Sequence, residues 1–170
     1  MAMMIRAERG GDEDGVRRVN EAAFGRPAEA ALVDALRDAG AVIASLVAED
    51  EGVIVGHILF SPATLTAGSA ATPVAALGPM AVLPERQGQG IGGALVRAGL
   101  AACRAAGYDL CIVLGHAEYY TRFGFRPSAP FGIRWERDVP AEVFMVAELA
   151  PGALAGRRGI VRYRPEFDGV

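Results

Sequence analysis

The stretch Ala81-Val82-Leu83-Pro84-Glu85-Arg86-Gln87-Gly88-Gln89-Gly90-Ile91-Gly92-Gly93 runs from the end of an apolar strand through a glycine-rich turn into a helix. Four of the six residues from 88 to 93 are glycine, so no Cβ keeps a ligand away from the backbone there. The free N–H groups of a first helical turn point outward, and together with the helix dipole they form an anion site. A pyrophosphate is the natural occupant of such a turn. The helix that starts here is expected to run from about residue 90 to 106 and to stop at Gly107.

The neighbours of this stretch set the fold class. The strand that feeds it covers residues 74–83 and contains Gly78-Pro79. A proline has no N–H for the ladder, so a bulge is expected at that point. Residues 42–48 and 53–60 are rich in β-branched side chains and are separated by the polar turn Glu49-Asp50-Glu51-Gly52, which reads as an antiparallel hairpin. Residues 61–72 read as a loop. Upstream, residues 12–24 show Val16, Val19 and Ala23 at helical spacing, with Asp12 as an N-cap candidate. Pro27 opens a second helix, 28–39, with Leu32 and Leu36 on one face and Gly40 at its end. Downstream come a short buried strand, 109–114, a brief helix, 118–123, ended by Gly124, and strands at 144–149 and 160–163. Residues 126–141 hold three prolines and no clear period. Antiparallel strands with one βαβ unit in the middle predict a mixed α/β, mostly antiparallel sheet flanked by helices, in a single domain spanning 1–170.

Composition narrows the function classes. A chain of 170 residues with 52% hydrophobic content suits one core. The formal net charge is −3, from 17 basic and 20 acidic residues, and every basic residue is arginine. No basic stripe with interleaved aromatics is present, which argues against nucleic acid as a partner. Cys103 and Cys111 sit among apolar neighbours and read as buried, inert thiols. No metal-ligand spacing and no disulfide framework is seen, so no metal is expected and a cytoplasmic location is. Residues 1–5 are too short for the apolar region of a signal peptide, because Arg6, Glu8, Asp12 and Glu13 follow at once. Residues 53–84 carry no Asp, Glu, Lys or Arg, but Gly56, Pro62, Gly68, Pro73, Gly78 and Pro79 interrupt them. They read as buried strands and not as a membrane helix.

Three ligand readings of the glycine turn compete with a bare turn. Gly88, Gly90 and Gly93 satisfy G-x-G-x-x-G, but a dinucleotide fold wants an acidic residue at the end of the next strand. Here Asp109 precedes that strand, which ends in Gly115-His116, and a hairpin stands upstream. No Gly-Lys-Ser/Thr follows, so the P-loop reading fails. The third reading comes from resemblance. Gln87-x-x-Gly90-x-Gly92, after Val82-Leu83-Pro84-Glu85, resembles the acetyl-CoA-binding motif of the GNAT superfamily of N-acetyltransferases. Tyr119-Tyr120-Thr121-Arg122-Phe123-Gly124-Phe125 resembles the F-Y-x-x-x-G-F signature that follows that family's next strand, at the right spacing. The order of elements matches too. Residues 55–62 and Leu114-Gly115 before the tyrosine pair look like a bacterial subgroup of predicted acetyltransferases.

The resemblance implies an enzyme that moves an acetyl group from acetyl-CoA to a primary amine of a small molecule or peptide. Dimers are frequent in the family, so a homodimer is one expectation. It implies cofactor contacts from Met80, Ala81 and Val82 of a splayed strand and from Gln87, Gly88, Gln89, Gly90, Ile91, Gly92 and Gly93. The oxyanion donor would be a backbone N–H of that strand, with the bulge aiming Met80 or Ala81 at the cofactor. Tyr120 takes the role of general acid, and Tyr119 that of a core residue. For the base, His57, His116, Glu118 and ordered water all stand open. Arg86 is a candidate for added charge beside the turn. Phe24, Trp135 and residues 126–141 are candidates for the acceptor pocket. Readings from other classes are a non-catalytic CoA-binding sensor or regulatory module, and an enzyme using a different acyl-CoA.

Overall fold

The structure, a computed structural model, describes residues 3–170; of the segment 1–5 considered above, residues 1 and 2 lie outside the described part. In chain order the elements are β1 (Met4–Ala7), α1 (Glu13–Phe24), α2 (Ala28–Asp38), β2 (Ala44–Asp50), β3 (Val53–Ala67), β4 (Ala70–Val82), α3 (Ile91–Ala105), β5 (Leu110–Leu114), α4 (Ala117–Tyr120), β6 (Arg126–Pro127), β7 (Ile133–Trp135), β8 (Phe144–Glu148) and β9 (Gly159–Arg162). Among the described residues the strands form one sheet in the order β1-β2-β3-β4-β5-β8-β6, with β9 pairing β3 and β7 beyond that path. Neighbours are antiparallel except β4–β5 and β7–β9. The expected mixed, mostly antiparallel sheet is thus observed. No helix among the described residues is long and apolar enough to cross a membrane, and the uncharged stretch 53–84 lies largely in β3 and β4.

Alternation along β3 and β4 supplies both faces of the sheet with core. Ile58, Phe60, Leu77 and Val82 join the face covered by α3, through Ile91, Leu95, Val96 and Cys103. Leu59 and Ala81 join the opposite face under α1 and α2, with Val16, Val19, Leu32, Val33 and Leu36. The period of 2 in the strands and about 3.6 in the helices accounts for this partition. Gly99 brings α3 onto the sheet: a Cβ there would stand 2.0 Å from the Phe60 ring.

Residues 61–72 are not a loop. β3 and β4 continue through them as one long hairpin around Gly68-Ser69, in register from Ser61↔Ala76 to Ala67↔Ala70. Small and polar residues hid a regular alternation, Ala63 and Leu65 buried against Thr64 and Thr66 exposed. Pro62 is tolerated because its missing N–H would face the gap between the end of β2 at Phe60 and the start of β9 pairing at Thr64. β1 escapes a sequence reading because its Arg6 is tied to Asp12 at 2.7 Å and Glu49 at 2.7 Å. Asp12 accordingly does not cap α1. Its carboxylate accepts from Arg6 and from the Arg9 N–H, and Arg6 draws it down to about 2.

His57 is fully buried in a chain of hydrogen bonds and lines neither of the clefts described below, which removes it as a base. Asn20 donates to its Nδ1 at 3.1 Å, and its Nε2 meets the Ser45 hydroxyl at 2.9 Å. Glu8 stands 3.8 Å from Nε2 but is already engaged by Arg37 and Ser45. Burial, with a smaller push from Arg37, takes the imidazole down to about 3. The folded pKa lies below the unfolded value of about 6.5, so the unfolded chain binds the proton first as pH falls. This site therefore removes stability between about pH 6.5 and 3, at up to about 1.4 kcal/mol per pH unit. Urea denaturation of the wild type and His57→Gln across that range should show the slope reduced in the variant; parallel profiles would contradict the assignment.

Candidate active site

The bulge expected at Gly78-Pro79 is present. Ile58 pairs with Met80 and Phe60 with Leu77, so two residues of β4 face Leu59 alone. On its other side β4 pairs with β5 only at Ala75↔Cys111 and Ala76↔Ile112. Beyond Ala76 the two parallel strands separate. Leu83 N–H donates to Val55 of β3 at 2.9 Å. Strand alternation then turns the backbone of Ala81 towards β3 and the backbones of Met80 and Val82 towards the gap. The side-chain amide of Gln87 donates to the Val82 carbonyl at 3.1 Å, consistent with that carbonyl facing the gap. Of Met80 and Ala81, it is Met80 whose N–H is open to a ligand.

The first cleft, about 600 Å³, runs from this gap over the start of α3. Met80, Ala81, Val82, Gln87, Gly88, Gly90, Ile91, Gly92 and Gly93 all line it. Gly88 and Gly90 have φ of +77° and +83°, the left-handed turn that carries the chain into α3. The first helical N–H to find a partner in this turn is that of Ala94, which donates to Gly90 at 3.1 Å; the N–H groups of residues 88–93 donate to no acceptor among the described residues. Gln89 is not among the residues lining the cleft, and its side chain accepts from Arg86 at 3.1 Å. Arg86 lines the cleft but is paired with Asp50 at 2.8 Å, so its charge is largely compensated.

Two further cations were not found by sequence reasoning. Arg97 and Arg122 line the same cleft and make no ion pair among the described residues. They stack on aromatic rings, Arg97 over Phe123 at 5.1 Å and Arg122 over Tyr119 at 4.6 Å. Arg97 sits four residues after Gly93, one turn along α3, which is the signal that would have found it. Arg122 lies inside the tyrosine signature itself.

Tyr119 and Tyr120 divide between two spaces. Tyr119 lines the first cleft; Tyr120 lines a second cavity of about 380 Å³ that shares Met80 and Phe24 with it. The Tyr120 ring packs edge-on to Tyr119, with centroids 5.0 Å apart, and to Phe125 at 5.8 Å. Gly115 makes room for it, since a Cβ there would stand 2.4 Å from the ring. Burial pushes the phenol above its ordinary pKa of 10, with Tyr119 and Cys111 adding to the rise. Tyr120 is therefore a proton-bearing group in the wall of the second cavity, its ring against Tyr119 of the first cleft. His116 lines the second cavity at its exposed end, whereas Glu118 is exposed and lines neither space. Glu29, unremarked in the sequence, is buried and lines the second cavity with Arg26 as its partner at 3.0 Å. Trp135 lines neither space and packs on Phe144 and Tyr163 as core. Of residues 126–141, β6 and β7 complete the sheet.

Known proteins share this fold. A family model described as an acetyltransferase (GNAT) domain matches residues 4–128. The chain is 46% identical over 120 residues to the uncharacterised N-acetyltransferase YjhQ of Escherichia coli K12, covering 69% of this chain and 66% of that one. It is 34% identical over 167 residues to the uncharacterised N-acetyltransferase YhbS of Escherichia coli K12, covering 98% and 99% of the two chains. The crystal structure of YhbS in complex with CoA superposes with a TM-score of 0.91, at 34% identity over 97% of this chain and 91% of that one. A GNAT family acetyltransferase from Brucella melitensis in complex with acetyl-CoA gives a TM-score of 0.81, at 41% identity over 98% and 99% of the chains. From the matched family model and a full-length relative above a third in identity, the chain belongs to the GNAT acetyltransferase family.

Proposed function

We propose that the protein transfers the acetyl group of acetyl-CoA to a primary amine, with the pyrophosphate held at residues 88–93 and the thioester end at the gap between β4 and β5. The observation that carries this reading is the run of unpartnered N–H groups at residues 88–93, beside strands that separate at the same end. The residues fit the cofactor. A Cβ added at Gly88 or Gly90 would meet no protein atom, so the backbone there is open to approach from outside. Arg97 and Arg122 supply positive charge over the same cleft. Relatives crystallised with CoA and with acetyl-CoA support the choice of ligand.

Acetyl-CoA supplies an activated acyl group; the chain supplies position, a dipole and a proton. Met80 N–H faces the gap, where it can donate to the oxygen that gains charge as the amine attacks. Tyr120 donates its hydroxyl proton towards the departing sulfur, and the proton that the amine nitrogen loses as the C–N bond forms passes through water to restore the phenol. A phenol whose pKa is raised looks too weak for this, but burial raises thiols as well. In this interior it takes Cys103 from 9.0 to about 12. A thiolate formed in a comparably dry site binds a proton harder than in water, which brings donor and acceptor closer to a match.

The reading is tested by thiol release from acetyl-CoA in the presence of a mixture of small primary amines. Release should depend on both protein and amine. It should disappear when tertiary amines, which have no N–H to lose, replace the primary ones. Equal release with tertiary amines would mean hydrolysis and would contradict amine transfer.

A further inference from the structure

Phe24 and Met80 line both the first cleft and the second cavity, and among the described residues no other is common to the two linings. They reach this place from opposite sides. Met80 belongs to β4 and packs with the core under α3, its sulfur 3.5 Å from where a Cβ on Gly92 would stand. Phe24 is the last residue of α1, which covers the other face of the sheet. Val16, Val19 and Ala23 carry the apolar stripe of α1 into the core. Phe24 lies one position further round the helix, joins no core cluster and stays 39% exposed. Gly25, with φ +68°, ends the helix by donating to the Glu21 carbonyl at 2.9 Å, which fixes the backbone that carries the ring. Single exposed apolar side chains are common on protein surfaces; this one stands where two cavities meet.

On the proposed reaction the pyrophosphate lies in the first cleft, whereas Tyr120, which protonates the sulfur, lines only the second cavity. The thioester has to touch both spaces, so its sulfur and carbonyl fall at the wall they share. β4 and β5 have already parted there, their last paired residues being Ala76 and Ile112. The Met80 N–H serves the carbonyl oxygen. The Phe24 ring is left as the boundary of the acyl group itself. An acetyl methyl fits against that boundary, but each further methylene has to push aside the ring or the Met80 side chain.

Resting on the acetyl-transfer reading, we propose that Phe24 sets the acyl length the enzyme accepts, closing the acyl site to chains much longer than acetyl. Phe24 is a specificity residue in this arrangement and takes no part in moving protons.

Calorimetric titration with acetyl-CoA and hexanoyl-CoA tests this without need of an acceptor, using wild type, Phe24→Ala and Phe24→Tyr. In an open apolar space the longer chain binds more tightly, because each buried methylene adds to affinity. The wild type should do the reverse and bind hexanoyl-CoA about tenfold or more weakly than acetyl-CoA. Phe24→Ala should bring the two dissociation constants to parity or invert their order. Phe24→Tyr keeps the ring and should keep the wild-type order. Because Phe24 joins no core cluster, the Tm of Phe24→Ala should stay close to that of wild type, which separates a widened acyl site from general loosening. Hexanoyl-CoA bound by wild type as tightly as acetyl-CoA, or a Phe24→Ala variant with the wild-type ratio, overturns the proposal and leaves the cofactor reading standing. A wild type that binds neither thioester overturns both.

Discussion

Tyr120→Phe should lower kcat by roughly a hundredfold or more, the range for loss of a positioned proton donor, and leave acetyl-CoA affinity within twofold of wild type. The substitution removes one oxygen from a ring whose packing against Tyr119 and Phe125 survives. No hydrogen bond within the protein is lost with it, so stability should change little. Tyr119→Phe is the matched control: its hydroxyl stands beside Gly92, and the residue lines the first cleft and not the second cavity, so on the proposed function its effect should fall on affinity and not on kcat. Burial holds the Tyr120 phenol above its ordinary value. It therefore stays protonated through neutral and mildly alkaline solution, and kcat should show no loss from this group below about pH 10. Steady-state kinetics of the two variants, with calorimetric affinities for acetyl-CoA, separate these expectations. A Tyr120→Phe variant with wild-type kcat would remove the tyrosine from the chemistry.

How much of this was legible beforehand depends on range in the sequence. The turn from β4 into α3 declared itself through glycine spacing, because a left-handed backbone and an open first helical turn both demand that residue locally. The Gly78-Pro79 bulge followed from the missing proline N–H. The long hairpin through residues 61–72 did not, since Thr, Ala, Pro and Gly carry strand and loop signals together, and what decided the matter was pairing with β9, about a hundred residues downstream. The site shows the same division. Tyr120 and the cradle at residues 88–93 lie in local motifs. His57 looked like a candidate base in sequence, and only the packing of Asn20, Ser45 and Glu8 around it reveals a neutral core histidine. Glu29 and Tyr163 share a cavity although they lie on α2 and after β9, and nothing short of the fold brings them together. Arg97 was reachable from helical spacing and Arg122 from its place in the signature, once a charge was sought near the phosphates.

Gly90→Val should weaken acetyl-CoA binding by at least tenfold, about 1.4 kcal/mol. The residue has φ +83°, where a β-branched side chain is strained by about 1–3 kcal/mol. The chain relieves that strain by turning the N–H groups of residues 88–93 out of their common direction. No internal clash contributes, because an added Cβ at this position meets no protein atom. The loss should therefore appear in ligand affinity more than in Tm.

The most direct measurement is calorimetric titration of the wild-type protein with acetyl-CoA, alongside NADH. Both carry a pyrophosphate, but only one carries a thioester arm, which the proposed function places between the separated strands β4 and β5. Micromolar binding of acetyl-CoA with no heat from NADH is the expected result. Binding of NADH without acetyl-CoA would assign the glycine turn to a dinucleotide and contradict the acetyl-transfer mechanism for this chain.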